Sequence, residues 1–160
     1  MTVYTEKWNG VIGGSSGWQA LFGTEINTTI ANTNSILSSV AIVNGTNADI
    51  FFDISYIAGG TVTTTAAGYL GFYLLPLLSN GSTYGDGNWG SSTSGQPGGN
   101  YFLDNIQFTL FGVGTTFSGG LLRLVMPPGT WKAVLTNLST ASLYNGTNPC
   151  DYRIYDRGIG

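Results

Sequence analysis

A chain of 160 residues with a net charge of −3 is the size of one domain, and at that length it buries roughly 70% of its unfolded surface without help from a disulfide or a metal. Five basic residues spread along the sequence make no cationic patch for phosphates or anionic lipid, so neither nucleic acid nor a membrane is expected as a partner. With no histidine and one cysteine, the sequence excludes a His-activated nucleophile and an ordinary zinc site, leaving only Lys7 and Lys132 as bases, and no cofactor is implied.

Charged residues make up 8% of the chain, against about 25% in an average soluble domain. Hydroxyls and amides must therefore keep the surface wet. Four Trp, nine Tyr and eight Phe suit strands, 25 glycines suit the turns between them, and strong helix formers are scarce. This composition predicts an all-β domain.

Residues 1–34 alternate short apolar pieces with Gly13-Gly-Ser-Ser-Gly17 and show no sustained period. We read them as an N-terminal arm, with Trp8, Trp18 and Phe22 as anchors that dock into a groove of this chain or of a neighbour. The start, Met1-Thr-Val-Tyr-Thr-Glu-Lys7, lacks a basic stretch followed by an apolar run, which suggests synthesis for the cytoplasm. Residues 35–160 form the expected domain.

Within it, residues 35–43 read as a strand with Ile36, Val40 and Ile42 on one face, and Asn44-Gly45 as a hairpin turn. Residues 48–57 alternate, placing Phe52, Ile54 and Tyr56 inward and Asp49, Phe51, Asp53 and Ser55 outward. The run Tyr69-Leu-Gly-Phe-Tyr-Leu-Leu-Pro-Leu-Leu78 is apolar on both faces, so a central strand covered on both sides is expected, with Leu77 and Leu78 leading out toward a partner or a covering loop. Residues 79–100 read as an irregular insert whose large groups are Tyr84 and Trp89, which serve either as loop contacts or as pins to the domain. Strands return at 104–113, 121–126, 130–138 and 150–156, with Pro127-Pro-Gly129 as a tight turn. Seven or eight strands at hairpin spacing predict an antiparallel β-sandwich or jelly roll.

The carboxylates offer little chemistry. Asp49 and Asp53 would stand about 13 Å apart along one strand, beyond the separations glycosidases use, and read as solvated strand residues. Asp86-Gly-Asn88 is short of a calcium loop. Cys150 reads as a small strand side chain.

Three pieces together carry a resemblance: the Asn44-Gly-Thr-Asn-Ala-Asp-Ile-Phe-Phe-Asp-Ile54 turn and strand, the Leu74-Leu-Pro-Leu-Leu78 run with its Asn80-Gly-Ser-Thr-Tyr-Gly-Asp86 loop, and the Met126-Pro-Pro-Gly-Thr-Trp-Lys-Ala-Val-Leu135 hairpin. The arrangement resembles the small β-sandwich decoration, or cement, proteins of tailed-bacteriophage heads. That resemblance implies a virion structural role on the capsid surface, the major capsid protein and copies of itself as partners, commonly as a homotrimer, and no enzymatic activity. The competing class is a carbohydrate-binding β-sandwich of a phage fibre or lectin-like protein, stacking sugars on Tyr84, Trp89 or Tyr101.

Overall fold

Alternating and doubly apolar runs leave the backbone one economical solution, which is to pair in sheets and press the apolar faces together. The computed structural model describes residues 4–8, 17–44, 51–58, 66–85, 93–111, 116, 118–143 and 146–159, with backbone alone at 4–8, 66, 93, 108–111 and 155–159. Among these, one sheet contains β1 (Tyr4–Trp8), β2 (Gln19–Ala20), β4 (Phe51–Ile57), β8 (Ser118–Val125) and β10 (Cys150–Ile159). The other contains β3 (Asn34–Asn44), β5 (Ala66–Pro76), β6 (Thr93–Ser94), β7 (Phe102–Phe111) and β9 (Gly129–Ser139). Two 3₁₀ turns, η1 (Thr24–Asn27) and η2 (Gly99–Tyr101), lie between strands.

The long strands pair in nested order. β1 pairs with β10, β3 with β9, β4 with β8 and β5 with β7, all antiparallel, while β10–β4 and β9–β5 stitch these pairs into sheets ordered β1-β10-β4-β8 and β3-β9-β5-β7. A long hairpin rolled up so that its successive pairs fall alternately in two sheets has this order, which makes the sandwich a jelly roll. The ends of β3, β5 and β8 and the starts of β4, β7 and β9 lie together at one end, which we call the loop end.

Between the sheets lies one core. Phe52, Ile54 and Tyr56 of β4, Leu70, Phe72 and Leu74 of β5, Ala133 and Leu135 of β9, and Tyr152 of β10 all point into it, as their alternation predicts. Ile36 and Ile42 of β3 join them although two extra residues interrupt the β3–β9 register between Leu37 and Ala41. Ser38 repairs that gap: its hydroxyl donates to the Val40 carbonyl at 2.7 Å and accepts the Ala133 N–H at 3.0 Å.

The N-terminal segment departs from the sequence reading. Leu21, Phe22, Ile26 and Ile30 are buried in this same core, so the domain begins well before residue 35 and Phe22 has no surface left for a neighbour. Asn137 of β9 and Asn148 of the β9–β10 connection hold the segment. Asn148 donates to the Ile26 carbonyl at 3.0 Å and its N–H reaches Asn27 Oδ1 at 2.9 Å, while Asn137, fully buried, donates to the Ile30 and Ala141 carbonyls, each at 2.9 Å. Asn137 Oδ1 in turn accepts the Ser139 hydroxyl and N–H. Replacing Asn137 by Leu strands these buried groups, and we expect a loss of about 3 kcal/mol in denaturant unfolding, with Asn137→Ser losing less.

Glu25 locks η1 to β3. Partial burial works against its charge, but N–H groups of Ser39 and Gly23 and the Ser39 hydroxyl donate to it, and these outweigh burial and hold the carboxyl below its ordinary value of 4.5. A depressed folded pKa contributes stability that is complete above the ordinary value and is lost as pH falls below it through the folded value. Glu25→Gln should therefore flatten the acid limb of the stability curve below about pH 4.5 while changing its slope above pH 6 little, as read by melting temperature against pH.

Candidate interaction surface

β5 is apolar on both faces because both are covered. Its outward side chains Tyr73 and Leu75 join Val134 of β9 in a second, smaller cluster, roofed by Tyr84 and Tyr101 and flanked by Leu37. The segment after β5 supplies the roof. Leu77 bridges to Tyr84, the Gly85 N–H bonds the Pro76 carbonyl at 2.8 Å, Lys132 Nζ sits 5.1 Å from the Tyr84 ring centre, and Tyr73 donates to Gln96 at 3.1 Å. Further on, β6 pairs with the start of β3. The insert expected to be irregular is thus, in its described parts, a lid on the second sheet, and Tyr84 is one of its pins. Leu78 remains 43% exposed at its edge.

The outer face of the first sheet is dressed differently. Trp18 lies over the Arg153 guanidinium at 4.5 Å, and Arg153 Nε and Nη2 reach Asp53 Oδ2 at 3.0 and 2.9 Å. Asp53 and Arg153 face each other in the β4–β10 register, and the Asp53 side chain is only 3% exposed. The solvated residue expected from the sequence is therefore a buried ion-pair partner. Its other oxygen accepts the Arg123 N–H at 2.8 Å, fixing a bulge in β8 where Leu122 and Arg123 together oppose Asp53 and Arg123 takes φ +59°. The bulge throws Leu122 outward. Leu122, Val125 and Ile57 are 69%, 63% and 49% exposed on this side of the first sheet.

At the loop end a cleft of about 260 Å³ opens between the sheets, lined by Leu74, Pro76, Leu103, Val125 and Trp131, with Asn100, Tyr101 and Phe102 at its mouth and Pro127 alongside. Among the described residues no acid or base lines it. The indole N–H of Trp131 is already spent on the Pro127 carbonyl at 3.0 Å, in a turn closed by Gly129 at φ +130°, and Asn44 donates to the same carbonyl. An apolar group is the guest that this lining satisfies; sugar hydroxyls would find few partners.

The strand edges nearby discourage strand addition. On β7, the Asp104 carboxylate accepts the Asn105 N–H at 2.8 Å, and on β8 the bulge interrupts the ladder. Contact with another molecule here has to be made by side chains.

Of the residues singled out in the sequence, Trp18 is a lid on Arg153, Phe22 is core, Leu77 is half-buried under its bridge to Tyr84, and Leu78 is exposed. The backbone of Trp8 pairs with Tyr155, and its side chain, like Trp89, Asp49 and Asp86, lies outside the described residues. Of the anchors whose side chains are described, Phe22 lies in the core and Trp18 on the outer face of the first sheet, so these two are not brought together. Leu122, Val125 and Phe102 escaped the sequence reading; the one trace of them was Leu121-Leu122, a doublet that breaks alternation and marks the bulge.

Reactive groups are muted. Burial pushes the Cys150 thiol well up, with the Asp151 charge adding to it, so the thiolate is scarce at neutral pH. Among the described residues no three of His, Cys, Asp and Glu gather as metal ligands, and no helix is long and apolar enough to cross a membrane. Comparisons with family models, curated proteins and solved structures find no match to the chain.

Proposed function

We propose that the chain is a virion structural protein, a decoration or cement protein that binds the outer surface of a tailed-phage head, associates with copies of itself, and performs no bond chemistry. The observation that carries this reading is the surface: a jelly roll whose β7 and β8 edges are interrupted presents a cleft with a mostly apolar described lining, and Leu122 and Val125 protrude from β8 nearby. Exposed apolar surface of this kind marks a site of protein contact, and the 8% charged composition leaves little repulsion between neighbouring copies. The jelly-roll order is one that capsid domains use, but lectins use it too, so the weight rests on the surface. Partners in this reading are the major capsid protein and the chain itself, as a homotrimer, as the resemblance noted above implies.

Incubating the purified protein with phage heads stripped of accessory proteins tests the proposal. Saturable co-sedimentation with a raised thermal or chemical resistance of the heads is the expected result. Heads that sediment without the protein, beside a glycan array that it binds, would move the chain to the carbohydrate-binding class.

A further inference from the structure

We propose that copies of the chain hold one another by seating Leu122 of one copy in the loop-end cleft of the next. The idea rests on the reading that the chain binds itself, and names how. Leu122 is the most exposed of the large apolar side chains described, at 69%, and it does not project by accident: the Asp53 carboxylate on the Arg123 N–H and the positive φ of Arg123 hold the bulge that presents it. A knob held in place loses little conformational entropy on binding. The cleft matches it: apart from Asn100 at the mouth, its described lining is apolar and aromatic, and at about 260 Å³ it is roomy enough for a leucine side chain.

Knob and hole belong to one chain, so each further copy brings a hole for every knob. Knob and hole also share one flank. Val125, in the cleft wall, is three residues along β8 from Leu122. Two complementary patches so close together favour closure about a rotation axis beside that flank over an open filament.

Two single-cysteine additions test the contact in the full chain. Cys150, 2% exposed, does not compete. Mixing Leu122→Cys protein with Asn100→Cys protein under mild oxidation should give a disulfide-linked pair of chains that neither protein gives alone, because Asn100 stands at the mouth of the cleft. In sedimentation velocity, Leu122→Asp should raise the dissociation constant for self-association roughly 30-fold or more, as loss of an interface hot spot does, with the melting temperature unchanged. A wild-type chain that stays monomeric, a Leu122→Asp chain that associates like wild type, or a mixture that cross-links no better than its components would each overturn the contact. Monomeric protein that still coats heads would overturn this contact and leave shell binding standing; self-association that obeys these tests in protein that ignores heads would do the reverse.

Discussion

Deleting residues 1–34 should leave no folded domain. An arm that docks from outside could be removed cleanly, but Leu21, Phe22, Ile26 and Ile30 are at most 4% exposed and sit between the two sheets. Burying each such side chain is worth about 1.5–3 kcal/mol, so the four together contribute about 6–12 kcal/mol, comparable with the whole stability of a typical domain, about 5–15 kcal/mol. The deletion also strips Asn137 and Asn148 of the carbonyls they serve and removes the β1 and β2 partners of β10. Circular dichroism and a denaturant titration of the truncated chain provide the check: a cooperative unfolding transition like that of the full chain would contradict this account of the segment.

Arg153→Met should cost about 3 kcal/mol. The Asp53 carboxylate, 3% exposed, would lose a guanidinium that it meets at 2.9–3.0 Å, and breaking one side of a buried pair leaves the other charge in a poor dielectric. Arg153 itself is 25% exposed, which places the loss at the lower end of what buried pairs show. Trp18 would lose the cation beneath its ring as well. Adding Asp53→Asn to Arg153→Met should recover much of the loss, because the amide oxygen can still accept the Arg123 N–H while the stranded charge is gone. A double-mutant cycle in urea measures the coupling, and purely additive losses would show that the pair is not what stabilises this face.

How much of this was legible in the sequence depends on which physical signal each element carries. β5 was the clearest, since a strand apolar on both faces requires two covers, and both are present: the main core inside and the Tyr73, Leu75 and Val134 cluster outside. β4, β9 and β10 alternate and were readable for the same reason, period two on a half-buried sheet. Residues 17–34 carried no period because they are held by another device: a 3₁₀ turn, a few isolated apolar side chains and amides that bond their backbone. Asp53 looked solvated because a single strand shows which face a residue takes and not what stands opposite; only the β4–β10 register brings Arg153 to it. The cleft and the Leu122 knob were out of reach for a related reason. They arise where β5, β7, β8 and β9 meet, and the bulge that creates the knob depends on an acid 70 residues away in the chain.

The central claim is that this protein works by adhering to a phage head and to itself. Cryo-electron microscopy of density-purified virions from the source of the sequence, with mass spectrometry of the same band, tests it most directly. The account predicts peptides of this chain in the particles, in fixed ratio to the major capsid protein, and jelly-roll density at symmetry-related positions on the outside of the shell. Particles with a bare shell and no peptide of this chain would contradict it.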